Sequence, residues 1–340
     1  MASAGVKLDE KTRTFVVLDI LRLKALLRTF LIFLLMPDII SIENFSKNYG
    51  KIPAVANLSL TIQRGELFGL IGPDGAGKTT TMRTLCTLLP LEDGQMRLAN
   101  FDVRRDVAAI RAILGYMPQR FSLYPDLSVE QNLMFFADLF GVPAPEKKKR
   151  LPQLYHFSKL EPFKNRLAKQ LSGGMKQKLA LSCTLIHTPT ILILDEPTTG
   201  VDPVSRREFW QILQQLRDDG VTILVSTPYM DEALLCNRVA FMHKGKLLAL
   251  DDPRLITKHF SHILYEVATP APQLLVPYFK KAVQSQSVQI FGDRLHVSFA
   301  APLASEMITR LIKSAPEPIS DMRRIDPGIE DTFMELMRKS

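Results

Sequence analysis

Three short apolar runs stand out along the chain: Leu67 to Ile71, Ile191 to Leu194 and Val221 to Val225. With no polar alternation, such runs predict strands buried on both faces, as in a parallel sheet. Leu114 to Gln119 predicts a further short strand. Residues 39–62 instead alternate and are rich in β-branched side chains, which predicts antiparallel strands, followed by a turn at Gln63 to Glu66. Helical spacing appears in Ser128 to Phe140, where Val129, Leu133, Phe136, Ala137 and Phe140 recur on one face. Gly141 to Pro145 breaks that helix, and a second runs from about Glu146 to Phe157. Helices are also expected from Thr80, from Lys176 to Ser182 and over Arg206 to Leu216. Turns are expected at Leu91 to Gly94 and at Thr199 to Pro203. Val239 to Met242 and Lys246 to Leu250 predict a hairpin turning at His243 to Gly245, where His243 is a turn residue without chemistry. Met117, Met134 and the paired phenylalanines read as core.

Beyond about residue 261 the pattern changes to a strand (Ile263 to Val267), a helix (Gln273 to Ala282), a hairpin (Ser287 to Phe291 and Leu295 to Phe299 about Gly292 and Asp293), a helix (Ala304 to Lys313) and a strand (Ile319 to Ile325). The order β-α-β-β-α-β is that of a small split βαβ, ferredoxin-like unit. No catalytic constellation accompanies it. A last helix spans Ile329 to Met337.

The chemistry concentrates where the first apolar run ends. Gly72-Pro73-Asp74-Gly75-Ala76-Gly77-Lys78-Thr79 matches G-x-x-x-x-G-K-[ST], the P-loop pattern, between a strand and a helix. Its glycines let successive N–H groups point at phosphate oxygens, and the helix N-terminus adds partial positive charge. Lys78 is placed to reach the β- and γ-phosphates, and Thr79, followed by Thr80, to offer its hydroxyl to Mg²⁺. A second glycine-rich helix start, Leu171-Ser172-Gly173-Gly174-Met175, forms another anion seat. The run ending Asp195-Glu196 delivers two acids to the carboxyl edge of the sheet beside the P-loop. Asp195 suits Mg²⁺, and Glu196 suits orienting or deprotonating water. Tyr49 stands at a strand end, where stacking on an adenine and plain packing both remain open.

Length and composition narrow the picture only slightly. The 340 residues suffice for one full domain and a smaller one, and 46% hydrophobic with 23% charged residues is a globular composition. The net charge of +8 suits an anionic ligand or membrane face and is too diffuse to imply nucleic acid. The run Lys147 to Arg150 reads as a solvated helix face. Cys86, Cys183 and Cys236 have no paired or metal-type spacing, which fits a reducing compartment. Residues 1–36 differ in pattern from the remainder of the chain. Phe15 to Met36 is apolar but carries Asp19, Arg22, Lys24 and Arg28, and its uninterrupted core from Phe30 is too short to span a bilayer. A domain starting at Met36, a peripheral membrane or partner helix, and an unstructured tail are the three readings of this extension.

Taken in order, Tyr49, the P-loop, Gln119, Leu-Ser-Gly-Gly-Met at 171–175, Asp195-Glu196 and Asp202 resemble the ATP-binding subunit of ABC transporters over roughly residues 37–250. The resemblance implies a P-loop NTPase fold, with a RecA-like parallel core carrying antiparallel β and helical subdomains (the latter about 120–175), over 37–258. The ferredoxin-like accessory domain would then occupy 259–340. It further implies that Gln119 senses Mg²⁺ and touches a membrane partner, that Ser172 to Met175 contact ATP held by an opposite nucleotide-binding domain, and that Asp202 lies at the dimer seam. Met175 and the C-terminal extension resemble the ABC-2 exporter branch, and the P-loop and Gly115 to Gln119 the first half of bacterial tandem ATPases that serve paired ABC-2 permeases. By that likeness the chain is an ATPase of a membrane exporter, peripheral on the cytoplasmic face of the inner membrane, in a homodimer or heterodimer, with ATP and Mg²⁺ as cofactors. One position departs from the pattern: the switch-loop histidine before Tyr-Met-Asp-Glu-Ala is Pro228, which has no donor. The alternatives are a soluble ribosome- or nucleic-acid-associated ABC ATPase, and a regulatory subunit that binds ATP without hydrolysing it.

Overall fold

The computed structural model describes residues 38–120, 123–281 and 285–339. The expectations for residues 1–36 lie outside this range, as does Ala282 at the end of its helix. The apolar runs form a six-stranded sheet at the centre. It contains β3 (Leu67–Ile71), β6 (Leu114–Met117), β7 (Ile191–Asp195), β8 (Thr222–Thr227), β9 (Arg238–His243) and β10 (Lys246–Asp251). Their order is β10-β9-β3-β8-β7-β6, all parallel except the hairpin strand β10. Every residue of β3, β7 and β8 is buried, as strands covered on both faces must be.

Alternate side chains of these strands enter two cores. Leu67, Ile71, Leu192, Leu194, Ile223 and Val225 face a layer of helices. These helices are α3 (Val129–Leu139), α4 (Ala144–Ser158), α5 (Gly173–Leu185) and α6 (Pro203–Asp218). Phe68, Leu70, Ile191, Ile193 and Leu224 face an antiparallel sheet. That sheet is ordered β2-β1-β4-β5, from β1 (Asp38–Tyr49), β2 (Ile52–Gln63), β4 (Asp93–Leu98) and β5 (Phe101–Asp102). The short helices α1 (Lys78–Leu85) and α2 (Val107–Ile113) add Met82, Leu85 and Ile110 to the second core.

Several local expectations change. The predicted turn at Leu91 to Gly94 is half strand, because Asp93 and Gly94 open β4. A Cβ on Gly94 would lie 2.6 Å from the carbonyls of Asn44 and Glu43, so glycine is needed where β4 meets the bulge in β1. Neither β4, β5 nor α2 is signalled by the pattern; in β4 only Met96 and Leu98 are buried, too few to show a period. The strand expected to run to Gln119 stops at Met117, where Pro118 removes the next donor. Within the basic run, Lys147 pairs with Asp138 and Arg150 with Glu146, leaving Lys148 and Lys149 exposed. The three cysteines are buried free thiols whose pKa values burial pushes up.

The C-terminal unit contains β11 (Ile263–Ala268), α8 (Pro272–Lys281), β12 (Ser285–Phe291), β13 (Arg294–Phe299), α9 (Ser305–Lys313) and β14 (Asp321–Ile325). Its sheet, β12-β13-β11-β14, is antiparallel throughout, the arrangement of a split βαβ pair. Its core is separate, built on Tyr265, Val267, Phe279, Val297 and Phe299. The short helix α7 (Met230–Ala233) comes after β8, and α10 (Ile329–Lys339) ends the described chain. Helix α10 leaves the C-terminal core. Ile329 and Phe333 join the helical side of the central sheet, and Phe333 stands edge-on to Phe241 at 5.1 Å. The last helix thus packs into the central core.

Candidate nucleotide-binding site

Strand β3 ends at Ile71, the loop turns back on itself, and α1 begins at Lys78. The turn requires glycine at two contacts. A Cβ on Gly72 would meet the Met242 carbonyl at 2.3 Å, and Gly77, at φ +99°, would bring one to 2.6 Å from the Ala54 carbonyl. The Gly72 N–H donates to the Thr227 carbonyl at 3.4 Å, which ties the loop to the end of β8. Asp74 to Thr80 line a cavity of about 430 Å³ together with Gln119 and Glu196.

Lys78 is buried within this wall. Its Nζ donates to the carbonyls of Gly72 (2.6 Å) and Pro73 (3.1 Å) and lies 3.1 Å from Glu196 Oε1. Gln119 Nε2 donates to Glu196 Oε2 at 2.9 Å. Two residues from elements far apart in the chain thus converge on one carboxylate. Glu196 itself has φ +49°, a left-handed conformation that costs a non-glycine residue about 1–3 kcal/mol and is found where a site over-determines its backbone.

Beside it, Asp195 is fully buried. Strands β7 and β8 are in parallel register with Asp195 opposite Ser226. Ser226 Oγ donates to Asp195 Oδ1 at 2.8 Å and accepts from the Glu196 N–H at 3.0 Å, while Thr79 Oγ1 donates to Asp195 Oδ1 at 3.0 Å. Asp195 Oδ2 is buried with no protein hydrogen-bond partner. A buried carboxylate oxygen kept free beside a P-loop threonine is the donor set a hard divalent cation uses. Among the described residues no group of three or more His, Cys, Asp or Glu could hold a metal ion.

The remaining sequence-identified residues stand outside this cavity. Ser172 caps α5, its Oγ accepting from the Met175 N–H at 3.3 Å. Asp202 caps α6, accepting from the Ser205 N–H at 2.9 Å, and that backbone hydrogen bond holds its carboxyl below the usual range. The two helix starts touch: a Cβ on Gly174 would fall 2.4 Å from Ser205, whereas one on Gly173 would meet nothing nearer than the Gly200 carbonyl at 3.9 Å. Pro228 and Pro73 line a different cavity, shared with Met230 and with Phe333 of α10. Tyr49, half exposed, is the cross-strand partner of Ile52, and it is Ile52, Pro53 and Ala54 that line the nucleotide cavity. Sequence reasoning missed those three and Ser226; none carries a motif, and only the β1–β2 hairpin and the β7–β8 register bring them in.

The family model for the ABC transporter matches residues 55–199. The chain is 34% identical over 303 residues to a Nod factor export ATP-binding protein I of Ralstonia nicotianae, covering 88% of this chain and 93% of that protein. The chain belongs to the ATP-binding protein family of ABC transporters. It is also 41% identical over 287 residues to a probable multidrug ABC transporter ATP-binding protein, YbhF, of Escherichia coli. That match covers 84% of this chain and 49% of the relative, so the chain spans about half the length of that protein. Among solved structures it resembles the dimeric post-hydrolysis state of the ATP-binding cassette MJ0796 bound to ADP and Pi, with TM-score 0.57 and 26% identity, over 63% of this chain and 98% of that one. The fold is that of a P-loop ABC ATPase cassette.

Proposed function

We propose that this ABC ATPase is the energy-coupling subunit of a membrane exporter. The observation that carries the proposal is the connected set at the P-loop: Lys78, Glu196 and Gln119 joined in one cavity wall, with Thr79 and Asp195 beside them. The export assignment draws on relatives named for Nod factor export and for linearmycin resistance. In this reading residues 74–80 hold the ATP phosphates, Asp195 and Thr79 hold Mg²⁺, and Glu196 orients the attacking water with Gln119 as its partner. Bound Mg²⁺ supplies charge compensation for the phosphates. Ser172 to Gly174 and Asp202, whose helix starts lie side by side away from the cavity, face the nucleotide of a second nucleotide-binding domain. ATP binding then joins two such domains and hydrolysis releases them, and the helical layer 120–175 passes the cycle to paired ABC-2 permease subunits. Among the described residues no helix is long and apolar enough to cross a membrane, in keeping with peripheral attachment through those permeases at the cytoplasmic face. Residues 37–258 form the ATPase unit and the unit from 259 the accessory one.

Pro228 shapes the expected rate. Neither its side chain nor its nitrogen offers a donor, and one donor lost to transition-state charge costs roughly 10²–10³ in rate. The chain's own site should bind ATP and turn it over slowly, while its intact signature completes a partner's site. Steady-state hydrolysis by the wild type beside Glu196→Gln and Pro228→His tests both statements. Slow wild-type turnover, abolished by Glu196→Gln and raised by Pro228→His, is the expected result. Ordinary turnover indifferent to Pro228→His would remove the slow-site proposal, and turnover indifferent to Glu196→Gln would remove the assignment of the active carboxylate.

A further inference from the structure

We propose that Glu232 is a positioning residue for the segment Thr227 to Tyr229, locking it to the loop after Glu196; the proposal rests on the ATPase reading above. Glu232 lies on α7 and is 2% exposed. Its Oε1 accepts from Thr198 Oγ1 at 2.8 Å, and its Oε2 from Thr227 Oγ1 at 2.5 Å. Arg206, on the first turns of α6, brings Nε to 3.8 Å from Oε1, reaches Asp231 with Nη2 at 3.3 Å and lies over the Tyr229 ring at 4.8 Å. One carboxylate thus joins three segments: the end of β8, the loop after β7 and the start of α6.

Thr227 is the junction. Its carbonyl accepts from Gly72 of the P-loop, and its hydroxyl gives its proton to Glu232 while accepting from the Tyr229 N–H at 3.0 Å. The hydroxyl that holds the Tyr229 N–H is thus itself tied to Glu232. Thr198, two residues past Glu196, accepts from the Val201 N–H at 3.1 Å and so leads into Asp202. A buried carboxylate with one guanidinium at 3.8 Å is a poor source of stability, since an apolar residue of similar size often does as well. Such a group is better understood as setting registry between segments. Here the registry matters because Pro228 contributes no donor, so the segment is held by the residues on either side of it.

The test uses Glu232→Gln, which keeps the volume and removes the charge and one acceptor, and Thr198→Val, which cuts a single link. Two readouts are taken on the full chain: exchange of the Tyr229 amide by hydrogen–deuterium exchange, and single-turnover ATP hydrolysis with nucleotide affinity measured separately. Both variants are expected to raise Tyr229 exchange and to lower the hydrolysis rate by about tenfold, the worth of one charge-assisted hydrogen bond. Nucleotide affinity and exchange in β3 and β7 should stay within about twofold of wild type. Unchanged Tyr229 exchange in both variants overturns the proposal. So does a uniform rise in exchange across β3 and β7, which would make Glu232 a general structural acid. Glu196→Gln is run alongside: if it leaves hydrolysis untouched, the ATPase assignment fails separately, and Tyr229 exchange still decides the role of Glu232.

Discussion

Replacing Gly174 by alanine should separate the starts of α5 and α6. A Cβ there would lie 2.4 Å from both Cβ and Oγ of Ser205. Ordinary carbon contact is about 3.5–4.0 Å, so the two helix starts must part by about 1 Å. Overpacking of this kind costs about 1–3 kcal/mol, and alanine in a helix recovers up to about 1 kcal/mol relative to glycine, leaving a net loss of about 0–2 kcal/mol. Ser205→Gly removes both contacting atoms at an intrinsic cost of about 0.5–1 kcal/mol and keeps the backbone N–H that Asp202 caps. The double variant should therefore be more stable than the sum of the singles by about 1 kcal/mol or more. Urea unfolding midpoints of the four proteins, at equal slope, measure this directly. Strictly additive variants would refute the packing account. Gly173→Ala, with open space around it, is the control and should leave the midpoint unchanged or raise it by the helix preference of alanine, and should not lower it.

Groups outside the motifs give two further expected outcomes. Asn132 is fully buried on α3 and binds the preceding loop four times: to the carbonyls of Tyr124, Leu127 and Ser128 and from the Tyr124 N–H. Asn132→Ala should destabilise by about 1–3 kcal/mol, read by chemical unfolding, because it leaves the Tyr124 N–H without its acceptor, while the three carbonyls keep backbone donors from Leu127, Ala168 and residue 132 itself. Glu335 on α10 is buried, which alone would raise its pKa, but hydrogen bonds from Lys339, Ser261 and His262 outweigh burial and bring it down to about 2. Because the folded-state pKa is depressed, this carboxylate stabilises the docked helix above its ordinary value of 4.5, and that contribution is lost as pH falls from there towards about 2. Acid titration tracked by circular dichroism should show this step in the wild type and not in Glu335→Gln.

The boundary between what the chain announces and what it conceals is set by the range of the interactions. The P-loop was legible because strand, glycine turn, Lys78 and Thr79 are contiguous, and each requirement acts within a few residues. Asp195 and Glu196 were legible because a doubly buried strand must be an unbroken apolar run, and polar residues closing it fall at the sheet edge. The split βαβ unit was legible for a similar reason, since its elements succeed one another with clear turns. β4 was not, because its pairing with β1 joins distant parts of the chain and leaves only two buried side chains on it. Helix α10 could be read as a helix, but not as a piece of the central core.

By itself, then, the sequence determined the parallel strands, the phosphate loop, the paired acids and the glycine-rich helix start at Ser172, all set by local periodicity and glycine stereochemistry. Only the tertiary structure decided which residues stand beside them. The β7–β8 register puts Ser226 on Asp195, the β1–β2 hairpin puts Ile52 to Ala54 in the cavity wall, and the return of α10 puts Phe333 against Phe241. Glu232 reaches Thr198 and Thr227 by the same route. None of these pairings leaves a periodic trace, because each is a contact between elements whose separation along the chain bears no relation to their separation in space.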